Sequence, residues 1–264
     1  MPADPGHLAA LVPLDWSIYA FAFVVIVAAA VAQSALGVGF GVVAAPILAV
    51  IDPALVPGTV MILGSLTAAV VALREPIGWS GGSLGYAMLG RIIFSVIGGL
   101  VASLLSPRLF LLVFAGLILL AVALSLSGLR IVPTRRNLFL AGSASGLMGT
   151  ITSVGTPPLA LVYQHAPGAE VRARLSAFFA VGGLISILSL AAFGELGRAD
   201  LVFSLTLLPA MLVGYLLSPL LARHTDRGWM RPAMLALCVA AASLLLVKGV
   251  ADFATAPPGE AVGE

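Results

Sequence analysis

Apolar residues run along this chain in long blocks, separated by short clusters of Pro, Gly and charge. Six blocks are unbroken, at about 57–73, 84–104, 110–127, 172–193, 200–218 and 232–250. Each is close to the roughly 20 residues that a helix needs to cross a bilayer core. Two further regions, at about 17–51 and 138–163, are equally apolar but interrupted. The first holds Gly37, Gly39, Gly41 and Pro46, and the second holds Gly146, Gly149, Gly155, Pro157 and Pro158. Gly and Pro at that density break a straight helix. The pattern therefore predicts an all-α polytopic membrane protein, with two irregular regions among plain spans.

Composition excludes the soluble alternative. Hydrophobic residues make up 61% of the 264 positions and charged residues 9%, with a mean hydropathy of +1.15. A soluble domain carries roughly 25% charged residues, so a water-facing surface cannot be built from so few. The net charge of +2 is too small and dispersed for nucleic acid. The lone Cys238 lies in an apolar run and reads as a packing residue. The first 16 residues contain Asp4, His7 and Asp15 but no Lys or Arg, which gives no positive n-region for a cleavable signal. The segment from Thr255 to Glu264 reads as a short disordered tail.

Basic residues concentrate in cytoplasmic loops, and this orients the chain. Arg74, Arg91, Arg130, Arg135, Arg136, Arg172, Arg174, Arg223, Arg227 and Arg231 are placed inside, which leaves Arg108, Arg198 and Lys248 outside. Asp4, Asp15, Asp52, Glu195, Asp200, Asp252, Glu260 and Glu264 then also fall outside. The expected location is the cell inner membrane, with both termini extracytoplasmic. This works only if each interrupted region enters and leaves on the same face. The second, at about 26 residues, spans about 39 Å of helix, too little for two full crossings. It is expected to be a re-entrant hairpin or two short helices meeting near mid-membrane. The first is expected to be two short spans or a longer hairpin.

An internal repeat follows. Each half is one interrupted region followed by three spans, and three is odd, so the halves are expected to be inverted repeats, an architecture typical of transporters. The divisions are a tail at 1–16, a first membrane repeat at 17–127, a cytoplasmic linker at 128–137, a second repeat at 138–250 and a tail at 251–264. Ala45-Pro46-Ile47-Leu48-Ala49 aligns with Thr156-Pro157-Pro158-Leu159-Ala160. Pro is favoured in the first helical turn, so Pro46 and Pro157 are each expected to open a half-helix. Helix N-termini carry free N–H groups and partial positive charge. Two of them meeting at mid-membrane would hold a small anion without a full positive charge.

The candidate substrate-binding residues are Gln33, Ser34, Gly37, Gly39, Gly41 and Pro46 in the first half, and Thr150, Thr152, Ser153, Gly155, Thr156 and Pro157 in the second. The competing reading is that Gly and Ser here only let helices pack closely. Arg91, about seven residues into a span, is also a candidate, because an intramembrane cation is a functional hypothesis by default. Snorkelling to the cytoplasmic interface is its simpler explanation. Arg172 and Arg174 read as topology signals that could line a vestibule. His165 reads as interfacial. No carboxylate falls mid-span; Asp52 and Glu75 lie near span ends. No His/Cys/acid cluster has metal spacing, no nucleophile–base pair is evident, and the first Gly run lacks the Lys-Ser/Thr of a phosphate loop. Neither an enzyme nor a cofactor is expected.

At the two motifs the chain resembles the sulfite exporter TauE/SafE family, also called the sulfonate uptake permease family. The resemblance rests on Gly37, Gly39, Gly41, Pro46 and Leu48, and on Gly146, Gly149, Gly155, Pro157, Pro158 and Leu159, and extends over the hydropathy pattern of nearly the whole chain. The second family motif usually reads Gly-x-Gly-Gly-Pro; Ser153 and Thr156 take two of those Gly positions here, which bears on ligand size and hydrogen bonding. The resemblance implies a secondary transporter of sulfite, sulfoacetate or other organosulfonates, working in a lipid bilayer by alternating access. The alternatives are a carrier of another small anion such as a carboxylate, and a non-transporting membrane assembly factor. Homo-oligomers are compatible with the apolar exterior.

Overall fold

A computed structural model describes residues 16–51, 53–75, 83–129, 131–164, 168–225 and 230–254. Expectations about residues 1–15 and 255–264, Asp52, Arg130, His165 and Arg227 lie outside the described residues. The described chain is helical: α1 (Trp16–Leu36), α2 (Phe40–Ile51), a 3-10 turn (Pro53–Leu55), α3 (Gly58–Arg74), α4 (Ser83–Leu104), α5 (Pro107–Leu126), α6 (Arg135–Thr152), α7 (Thr156–Val162), α8 (Gly168–Ala192), α9 (Arg198–Thr225) and α10 (Met230–Ala254). Among the described residues, five helices are long and apolar enough to cross a membrane, within α1, α4, α5, α8 and α9. At 17 residues, or about 26 Å, α3 is shorter than the span expected of it.

Local chemistry marks the ends. Ser106 caps α5 by accepting from the Leu109 N–H, with Pro107 in the first turn, a favoured start. Thr134 caps α6 the same way through the Asn137 N–H.

Both interrupted regions are pairs of unequal helices. The first is the 21-residue α1 and the 12-residue α2; the second is the 18-residue α6 and the 7-residue α7. Pro157 lies in the first turn of α7. Pro46 does not open a helix: α2 begins six residues earlier, at Phe40, and contains Pro46 in its interior. The break is made instead by Gly37 and Gly39, at φ 76° and 119°, a region closed to most side chains. A proline inside a helix leaves the carbonyl four residues earlier without its N–H. That carbonyl, on Val42, accepts from the Cys238 thiol at 2.9 Å. The helix breaks of the two halves therefore correspond at Gly37-Val38-Gly39 and Ser153-Val154-Gly155, not at the prolines.

The halves pair by exchange. The first helix of each packs on the fourth of the other (α1 on α9, α6 on α4), the third on the third (α3 on α8) and the fifth on the fifth (α5 on α10). The α4–α6 seam is built of glycine. Gly142 meets the Ala87 backbone, Gly90 the Phe139 carbonyl, Gly146 the Arg91 backbone and Gly98 Thr150. Small residues one turn apart let helices approach this closely where lipid supplies no hydrophobic drive. The other face of α4 exposes Leu89, Ile92, Ile93, Val96, Ile97 and Leu100. An apolar stripe outside and Arg91 and Ser95 inside invert the pattern of a water-soluble helix, as a lipid-facing helix requires.

Candidate functional site

Each break is fixed by side chains next to it. After α1, the Gln33 amide donates to the Gly37 carbonyl at 3.1 Å and accepts from the Phe40 N–H at 3.2 Å. It spans the break and occupies the first donor of α2. After α6, Ser153 takes the left-handed conformation at φ 61°, ψ 6°, and its N–H returns to the Gly149 carbonyl. Glycine adopts that conformation at least cost, which accounts physically for a Gly at this place in the motif that the sequence resembles. Ser153 gains a bond in exchange, donating to the Pro57 carbonyl at 3.0 Å. The Thr152 hydroxyl donates to the Met148 carbonyl and accepts from the Val154 N–H, so it serves the break itself. The two breaks meet at Gly41, whose Cα lies against the Ser153 carbonyl with no room for a side chain.

Arg91 enters this junction from α4. It is 2% exposed, which overturns the snorkelling reading. Snorkelling is blocked because the side chain is enclosed by glycine. A Cβ at Gly149 or Gly155 would stand 2.7 Å from Nη1, and one at Gly182 2.6 Å from Nε. Nη1 donates to the Ser145 carbonyl at 2.5 Å and the Ser145 hydroxyl at 2.9 Å, and Nη2 donates to the Ser186 hydroxyl at 3.3 Å. The Phe178 and Phe179 rings each lie 5.7 Å from the guanidinium carbon, within cation–π range. Nε has no partner, and among the described residues no carboxylate pairs with the group. Ser186 is the hub: it also bonds Thr150 at 2.8 Å and Ser95 at 3.2 Å, and donates to the Gly182 carbonyl.

Beside Arg91 lies a cavity of about 40 Å³. At ~10–15 Å³ for one water, it has room for about three waters or one compact oxyanion. Six of the expected residues line it: Gln33, Gly41, Arg91, Ser153, Gly155 and Thr156. Gly149, Ser65, Met61 and Phe179 complete much of the wall. Thr150 stands behind the cavity, in the Ser186 network. Ser34, Gly37, Gly39, Pro46, Thr152 and Pro157 do not line it. Gly37 packs against Arg172, which pairs with Glu75 at 2.6 Å. Arg174 pairs with Glu170 at 2.8 Å.

Arg91, one of the expected residues, puts a full positive charge at the cavity beside the helix ends. The second helix end is poorer than expected, because Pro157 and Pro158 have no N–H and α7 makes only two turns. Sequence reading missed Ser145, Ser186, Ser95, Phe178, Phe179 and Gly182. The pair Gly182-Gly183 inside an apolar span was the available signal for a close approach by another group.

Comparison with curated proteins and with solved structures returns no match. The family described as sulfite exporter TauE/SafE matches residues 22–245, which takes in both breaks, Arg91 and every helix that surrounds them. The chain is a multi-pass membrane protein that belongs to the sulfite exporter TauE/SafE family of transporters.

Proposed function

We propose that the chain carries sulfite, or a small organosulfonate, across the cell inner membrane as a secondary transporter, with Arg91 as the anion-binding group. One observation carries the reading: a fully buried guanidinium without a carboxylate partner, with an unbonded Nε, beside a small cavity. A buried charge lacking its counter-ion is costly, and within a membrane such a group marks a substrate or ion path. An oxyanion in the cavity supplies the missing charge and accepts from the planar fork. Ser153, Thr156 and the Gln33 amide stand around the same space. The exchange pairing of the halves supports two inverted repeats that rock about this site, which is alternating access. The positive-inside distribution supports extracytoplasmic termini.

The cavity is small enough to rank substrates. Sulfite fits the closed form, whereas sulfoacetate and isethionate carry carbon that requires its wall to move. The test is counterflow in proteoliposomes loaded in turn with sulfite, sulfoacetate, isethionate, taurine and acetate. Saturable sulfite movement is expected to be strongest and to fall about a hundredfold in Arg91→Lys, which keeps the charge and loses the fork. Equal flux in Arg91→Lys, or acetate moving as fast as sulfite, would refute the assignment.

A further inference from the structure

A second cavity, of about 400 Å³, lies next to the first turn of α3. Its walls include Pro57, Gly58, Ala102, Phe110, Glu195 and Asp200. The site cavity is lined from the same helix by Val60, Met61, Gly64 and Ser65. Pro57 and Gly58 thus face the large space, and Val60 and Met61 face the small one. The wall that α3 provides between them is about one turn of helix.

That turn is held by polar contacts on two sides. Asp200, in the first turn of α9, accepts from the Thr59 N–H at 3.1 Å and the Thr59 hydroxyl at 3.4 Å through Oδ1. Its Oδ2 accepts from the Gly197 N–H at 2.9 Å. The carboxylate fills the place where Gly58 lacks a side chain, and it sits at a helix N-terminus, where a negative charge is favoured. On the other side Ser153 donates to the Pro57 carbonyl. The far end of α3 is tied separately. Glu75 pairs with Arg172, which also donates to the Ala35 carbonyl at 3.4 Å.

We infer that the first turn of α3 is a thin gate between the large cavity, an access vestibule, and the anion site, with Asp200 as its latch. The Glu75–Arg172 pair closes the opposite side. The polar ties make this the wall that can yield. Water reaching the vestibule replaces the hydrogen bonds of Asp200 and Thr59, whereas parting packed apolar helices gains no such replacement. The two latches sit at opposite ends of one 17-residue helix, so α3 can release one end while the other stays fixed. The gate does not depend on which anion is carried.

The test is side-specific thiol labelling. Val60→Cys places a thiol on the site wall, in a Cys238→Ser background that keeps a donor for the Val42 carbonyl. A membrane-impermeant thiosulfonate reagent is added to each face of sealed vesicles in turn. Asp200→Asn is expected to raise labelling about tenfold, the factor for one lost charge-assisted bond, from the extracytoplasmic face only. Glu75→Gln is expected to raise it from the opposite face only. Labelling at the parent rate in Asp200→Asn, or a rise from the same face as in Glu75→Gln, would overturn the gate. Thr59→Val, which removes only the hydroxyl contact, is expected to give a smaller rise on the Asp200 side. It decides the question if Asp200→Asn does not fold by gel filtration.

Discussion

The two halves of this protein share a backbone plan and differ where the charge is. The sequence shift that carries Gly37 onto Ser153 also carries Gly98 onto Gly214. Both pairs are equivalent in space: Gly98 packs against α6 and Gly214 against α1, each the first helix of the other half. The same shift carries Arg91 onto Leu207, Ser95 onto Met211, Ala29 onto Ser145 and Val70 onto Ser186. Leu207 and Met211 are buried. Arg91, Ser95, Ser145 and Ser186 thus have apolar counterparts, while Thr150 keeps a polar one in Ser34. Gly149, Gly155 and Gly182, which make room for the guanidinium, have Gln33, Gly39 and Leu66 as their counterparts. The helix order recurs in both halves, and the cation stands in one of them.

The sharpest way to break this comparison is to move the charge. Arg91→Leu removes a buried cation at similar volume. Such replacements are often neutral or stabilising, so the thermal midpoint in detergent is expected to hold or rise while sulfite counterflow drops to background. Leu207→Arg is expected to do the reverse to stability. By the same sequence shift Ala29 and Val70 correspond to Ser145 and Ser186, and with no polar counterpart there the new charge is expected to cost roughly 3 kcal/mol and to lower the midpoint. A large stability loss in Arg91→Leu would show that the arginine is a structural element, and the contrast between the halves would lose its functional meaning.

A smaller effect is expected at the hub. Ser186→Ala keeps Arg91 on Ser145 but removes the bond to Nη2 and the contacts to Thr150 and Ser95. One hydrogen bond to a charged group corresponds to roughly tenfold. We expect a rise of that order in the KM for sulfite with maximal flux less affected, because the charge remains and only its orientation loosens. Val70→Ala, at the counterpart position, is expected to leave KM unchanged. A fall in maximal flux at constant KM in Ser186→Ala would place the hub in the moving machinery and not in the site.

Much of the architecture was legible because lipid imposes it. A helix in hydrocarbon must be long, apolar and internally bonded, so the six plain segments coincide with α3, α4, α5, α8, α9 and α10 to within a few residues at most ends. Both breaks were legible from Gly and Pro. The surroundings of Arg91 were not, because they are tertiary. Ser145 and Ser186 lie 54 and 95 residues from it in sequence, and a serine inside a span reads as a small packing residue. An arginine seven residues into a span satisfies the snorkelling pattern equally well; only the glycine slot excludes it. Pro46 misled for a related reason. The rule that proline starts helices holds at Pro157, but at Pro46 the freed carbonyl is served by a thiol nearly two hundred residues away.

That thiol gives the smallest expected effect and separates the two prolines. Cys238→Ala leaves the Val42 carbonyl without a donor inside α2, and a buried unsatisfied carbonyl costs roughly 1–3 kcal/mol. Pro46→Ala restores a backbone N–H four residues on, so the carbonyl can return to the helix ladder. The double variant is therefore expected to recover most of the thermal midpoint lost in Cys238→Ala, and sulfite KM is expected to stay unchanged in all three, because neither residue lines the cavity. Additive losses in the double variant would mean that the thiol and the proline do not share the Val42 carbonyl. A changed KM in Pro46→Ala would return that proline to the anion site, and the two halves would then match at their prolines after all.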